Sequence, residues 1–103
     1  MITRVAMKIC GTTNVRQMYQ ENKCTNFRVM PPEYFYDIEW KEHAKFFEEK
    51  FLNETMERLT SSVIAHVWNK HSYSHILSLD AKVAYIKLAK KYCPKVFRAS
   101  NYF

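Results

Sequence analysis

The sequence predicts an α/β arrangement, mostly helical, with two or three short strands. Three observations predict it. Leu79, Val83, Ile86 and Ala89 recur at the spacing of one helix face, with Lys82, Lys87, Lys90 and Lys91 mostly off it. Trp40, Ala44, Phe47 and Phe51 make a second helical stripe. Between them Val63, Ile64 and Ala65 form a short apolar run with two β-branched residues, which reads as a buried strand.

The chain is taken as one region, 1–103, long enough for one small core. Hydrophobic residues are 48% and aromatic residues 16%, which excludes a disordered tail. Gly11 is the single glycine, so neither a dinucleotide-binding glycine motif nor a P-loop can exist in this stretch. The opening residues are too short an apolar stretch, broken by Arg4 and Lys8, for a signal peptide or a membrane span.

The net charge of +6 is unevenly spread. Residues 31–60 hold four basic and eight acidic side chains, whereas residues 61–103 hold seven basic and one acidic. A basic end segment suits nucleic acid, anionic lipid or a sugar nucleotide, and it equally suits the wet face of a helix. A small basic binding module for nucleic acid or an acidic partner is therefore the alternative reading. Against nucleic acid, the aromatic residues cluster in the acidic middle and are not interleaved with the lysines.

In chain order, Val5, Ala6 and Ile9 continue a helical spacing from Ile2, with Arg4 and Lys8 opposite and Gly11 as a stop. Thr12-Thr13-Asn14 reads as the cap of a second short helix, Val15 to Glu21. Phe27, Val29 and Met30 suggest a short strand ended by Pro31-Pro32. The stretch PPEYFYDIEW reads as an ordered, aromatic-rich loop. Ser78 reads as the N-cap of the last helix, with Asp80 in its first turn and Pro94 ending it. The tail after Pro94 has no period. About four helices are expected in all.

Chemistry concentrates at the end of the predicted strand. His66, Trp68, Asn69, Lys70 and Ser72 offer an imidazole, an indole, an amide, an ammonium and a hydroxyl within seven residues. Such groups bind metals, sugars and phosphates, and strand ends are where α/β proteins keep sites. Packing at a strand end is the plainer account of His66 and Trp68. Among the four histidines, His71 and His75 are four apart but have no acidic ligand near, so a zinc site there is not supported. His66 is the better single ligand, and its imidazole suits Mn²⁺ as well as zinc. No Asp-x-Asp and no Cys-His or Ser-His couple is present, so no catalytic residue is assigned. Cys10 and Cys24 flank a short helix, where either a disulfide or free thiols fits. Asn53-Glu54-Thr55 is a glycosylation sequon, a weak signal by itself.

The order ITRV…C…C…VMPPEYFYDIEW…AHVWNKHS…KYCP resembles the C-terminal conserved region of the α1,4-glycosyltransferases, the lactosylceramide 4-α-galactosyltransferase (globotriaosylceramide synthase) family. The resemblance covers essentially the whole chain. Its most specific motifs are PPEYFYDI with Trp40, and HVWNK with Ser72. It implies the C-terminal part of a GT-A-type nucleotide-diphosphosugar transferase. Such enzymes are type II Golgi membrane proteins. They move galactose, N-acetylgalactosamine or N-acetylglucosamine from a UDP-sugar, in α1,4-linkage, to a galactose-terminated glycolipid or glycoprotein.

The resemblance also implies Mn²⁺ held by an upstream Asp-x-Asp, with His66 as a completing ligand. It further implies that Trp68, Asn69, Lys70 and Ser72 lie against the donor. A Cys10–Cys24 disulfide, an external partner for Cys93 and a glycan on Asn53 follow from the luminal setting it implies. The Asp-x-Asp part and the membrane anchor are expected to lie outside this stretch, which alone is expected to be inactive and marginally stable.

Overall fold

The computed structural model describes residues 2–102. Helix α1 (Ile2–Cys10) and helix α2 (Val15–Gln20) form an N-terminal arm. Gly11, at φ +63°, makes the left-handed turn between them. Asn14 caps α2: its side-chain oxygen accepts from the backbone N–H groups of Arg16 and Gln17 at 3.0 and 3.4 Å. Cys10 and Cys24 are disulfide-bonded, and Cys10 and Met18 are buried.

The remaining elements gather round a small core. Helix α3 (Glu33–Tyr36) follows Pro32, and a 3-10 segment covers Trp40–Phe46. Another 3-10 turn, Glu49–Phe51, leads into helix α4 (Leu52–Arg58), and a third, Leu59–Ser61, leaves it. After an irregular run come helix α5 (Asn69–Ser72), helix α6 (Ala84–Tyr92) and helix α7 (Pro94–Ala99). Ile38, Phe46 and Ala84 are the buried centre, with Leu52, Met56, Val67 and Leu88 packed against it.

Arg58 fastens these elements together. Its guanidinium donates to the Asp37 carboxylate at 3.2 Å, to the Asp37 carbonyl, and to both Glu42 oxygens at 3.3 Å. Lys45 bridges Glu42 and Glu54, each at 2.7 Å. Hydrogen bonds from Lys45 and then Arg58 pull the Glu42 carboxyl from 4.5 down to about 2. The Thr55 hydroxyl, fully buried, donates to the Lys45 carbonyl at 3.2 Å.

The α/β expectation is corrected: the described residues are helical and contain no strand. Neither Phe27–Met30 nor the run from Ser62 becomes one. A strand needs a ladder, and the Val63 and Ile64 amides instead converge on the single Tyr34 carbonyl, at 2.8 and 3.5 Å. A short apolar run does not by itself distinguish a strand from an irregular packed segment. The GT-A fold is accordingly not seen in this stretch.

Other boundaries shift as well. Helix α6 starts at Ala84, not Ser78, because the Ser78 hydroxyl bonds the Asp80 carboxylate and caps no backbone N–H. The stripe from Trp40 winds as 3-10 turns, with Glu42 N–H bonded to Glu39 O and Phe47 N–H to Ala44 O, each at 2.9 Å. The aromatic loop contains α3, and the tail forms α7 with Pro94 at its start.

Candidate functional site

The two aromatic-rich motifs, 30 residues apart, fold onto each other. The Trp68 indole N–H donates to the Ile38 carbonyl at 2.8 Å. Tyr36 lies over both His66 and Trp68, with ring centroids 5.5 and 5.6 Å apart, and the His66 and Trp68 rings are 4.2 Å apart. This geometry needs a sharp reversal of the chain. Trp68 provides it at φ +54°, a left-handed conformation unusual for a bulky residue, and its backbone N–H donates to His66 Nδ1 at 3.1 Å. Arg58 holds the other side in place through Asp37.

His66 is exposed and available to a ligand. Its Nδ1 accepts a hydrogen bond, so in the neutral ring Nε2 carries the proton. A metal-binding imidazole shows the opposite pattern, with one lone pair on the metal and an N–H donated elsewhere. As placed, His66 is therefore a donor to oxygen and offers a metal no lone pair. Among the described residues no group of three or more His, Cys, Asp or Glu side chains could hold a metal ion. As placed, His66 does not present the lone pair that completing an Mn²⁺ site would need, and the other ligands expected of the family lie outside this stretch.

The four residues expected at the donor divide into two pairs. Asn69 and Lys70 are exposed in α5 beside the aromatic trio. Trp68 is half-buried, and its N–H is already bonded to Ile38. Ser72 is 5% exposed and its hydroxyl donates to the Val67 carbonyl at 2.8 Å, closing the turn. Asn53 is exposed near the start of α4, and Cys93 is free and exposed.

A second ring cluster, which the sequence does not single out as a site, lies between the 3-10 segment and the residues from α5 onward. Trp40 packs 5.5 Å from His71, His43 lies 5.8 Å from His71 and 6.3 Å from His75, and Phe47 stacks on His75 at 4.5 Å. His43 Nδ1 donates to the Trp40 carbonyl at 2.8 Å. The aromatic density of residues 34–40 was a signal for Tyr36 and Trp40. Nothing local signalled His43 or Phe47. The Tyr36–His66–Trp68 cluster with Asn69 and Lys70 presents ring faces, an imidazole N–H, an amide and an ammonium, a set suited to sugar hydroxyls and phosphate oxygens.

The family model described as "Alpha 1,4-glycosyltransferase conserved region" matches residues 1–100. The chain belongs to that family. Relatives named lactosylceramide 4-alpha-galactosyltransferase are 31% identical in Mus musculus, 30% in Rattus norvegicus and 29% in Homo sapiens, each over all 103 residues. The chain spans 28% of the length of each of these three transferases. No solved structure matches it. Both motifs that meet at the aromatic face lie within the stretch this glycosyltransferase family model covers. No described helix is long and apolar enough to cross a membrane.

Proposed function

We propose that this stretch forms part of a Golgi α1,4-glycosyltransferase, a type II membrane protein in its longer form. The reaction is transfer of galactose, N-acetylgalactosamine or N-acetylglucosamine from a UDP-sugar to a galactose-terminated glycolipid or glycoprotein. The observation that carries the reading is the meeting of PPEYFYDIEW and HVWNKHS in one exposed face of a chain belonging to that family.

In this reading each exposed side chain has a part. Lys70 places its ammonium on the donor diphosphate. Asn69 pairs with a sugar hydroxyl, and His66 donates Nε2–H to a sugar or phosphate oxygen. Tyr36 offers a ring face to the sugar. Trp68 and Ser72 position these groups by fixing the turn. The Mn²⁺ expected of the family would take its ligands from outside this stretch, and no step here is assigned to it. The stretch alone transfers no sugar.

The test is a chimera. Residues 1–100 replace the matching region of the mouse relative, and product formation from UDP-sugars and lactosylceramide is measured. Transfer by the chimera is expected. Lys70→Ala should raise the donor KM about tenfold, the cost of one charge-assisted hydrogen bond. A folded chimera without transfer, or one indifferent to Lys70→Ala and Asn69→Ala, would overturn the assignment.

A further inference from the structure

The irregular run Ser62–Val67 has two sides. His66 and Trp68 belong to the aromatic face, whereas Ala65 and Val67 line a separate groove of about 970 Å³ between α4, α6 and α7. The groove walls are apolar, and three of their aliphatic side chains are unusually open. Val63 is 66% exposed, Ile64 54% and Val96 57%. Lys87 and Lys91 also line the groove, Lys91 with its ammonium 4.8 Å from the Tyr92 ring, and no carboxylate does.

We propose that this groove docks on the surface of an anionic lipid bilayer. Hydrocarbon fills the groove against Val63, Ile64 and Val96, and Lys87 and Lys91 rest on lipid phosphates. Charge decides the occupant. A protein partner's interface is depleted in lysine at its core, whereas here two lysines line an apolar wall that carries no opposite charge. Apolar side chains beside lysines and a tyrosine are the composition of an interfacial membrane surface. The proposal stands on the groove alone and is independent of the transfer reading.

Cys93 lines the groove and is the free thiol, so the full chain can be labelled there with a polarity-sensitive fluorophore. The labelled chain is mixed with vesicles of phosphatidylcholine, with or without phosphatidylserine, and both fluorescence and co-sedimentation are read. A blue shift and sedimentation with the phosphatidylserine vesicles are expected, weakening as salt rises. Each lysine near an anionic surface contributes about fivefold in affinity, so Lys87→Glu with Lys91→Glu should cost about 30-fold or more. Ile64→Asp should remove the blue shift while far-ultraviolet circular dichroism stays unchanged. Three results would overturn the proposal. One is no binding to either vesicle. Another is anionic-vesicle binding indifferent to both variants, which would place it elsewhere on the basic surface. The third is a concentration-dependent shift without vesicles, which would make a second copy of the chain the occupant.

Discussion

Replacing Arg58 with Met keeps most of the aliphatic stem and removes the guanidinium. The charge joins three elements, through Asp37 after α3, Glu42 in the 3-10 segment, and its own helix α4. Breaking a fully buried ion pair costs about 3–5 kcal/mol, and an exposed pair is worth about 0.2–1 kcal/mol. The Arg58, Asp37 and Glu42 side chains are 30%, 25% and 34% exposed, which places this network between those limits. We expect a loss of ~2 kcal/mol at neutral pH, an 8–16 °C fall in Tm by the ~4–8 °C per kcal/mol typical of this size. Urea denaturation followed by the fluorescence of Trp40 and Trp68 measures it. Acid supplies the control. The Glu42 carboxyl is held at about 2, below its ordinary 4.5. Its stabilisation is therefore complete above pH 4.5 and lost as pH falls from 4.5 towards 2. The gap between the two proteins should narrow through that window. A gap under ~0.5 kcal/mol at neutral pH, or one unchanged at pH 3, would refute a charge-based clamp.

Four further outcomes follow from particular contacts. Phe46→Ala, at a fully buried position, should cost ~3–5 kcal/mol and abolish the near-ultraviolet circular dichroism; a cooperative melt within a few degrees of the parent would contradict the core assignment. Trp68→Phe keeps a ring but loses the bond to Ile38, and should cost ~1 kcal/mol in urea titrations, with no measurable change counting against that bond. Reducing Cys10–Cys24 releases a loop whose closure is worth ~3 kcal/mol, so helical signal from α1 and α2 should fall while tryptophan fluorescence holds. Nitrogen-15 NMR should find neutral His66 protonated on Nε2; the proton on Nδ1 would restore it as a metal ligand.

What the sequence disclosed was mostly local. Asn14 and Gly11 set the ends of α2 and α1 through contacts within a few residues, and their roles were readable from residue type and spacing. The start of α6 was not, because Ser78 has a competitor in Asp80 that apolar periodicity does not register. The run from Ser62 has strand-like composition, but a strand is a property of two chain segments, and only Tyr34 answers it here. The same limit governs the site. HVWNK was legible as a motif, and so was PPEYFYDI. Their contact through Trp68 and Ile38 spans 30 residues, and no spacing rule reports it. Ser72 reads as a ligand-facing hydroxyl by residue type, whereas its bond to the Val67 carbonyl is a tertiary detail that residue type does not report.

The N-terminal arm has a consequence of its own. Cys10 of α1 and Met18 of α2 are buried, yet neither helix packs extensively on another, and Val5, Ile9 and Val15 remain open. The radius of gyration is 17.0 Å, against about 13 Å for a compact chain of this length. We therefore expect the arm to open separately from the Phe46 core. Amide protons of the arm should exchange with deuterium through openings that leave the Phe46 core protected. A protease should nick residues 25–29 first, leaving a trimmed piece that still carries the aromatic face. A single melting temperature would then describe only the later of two events.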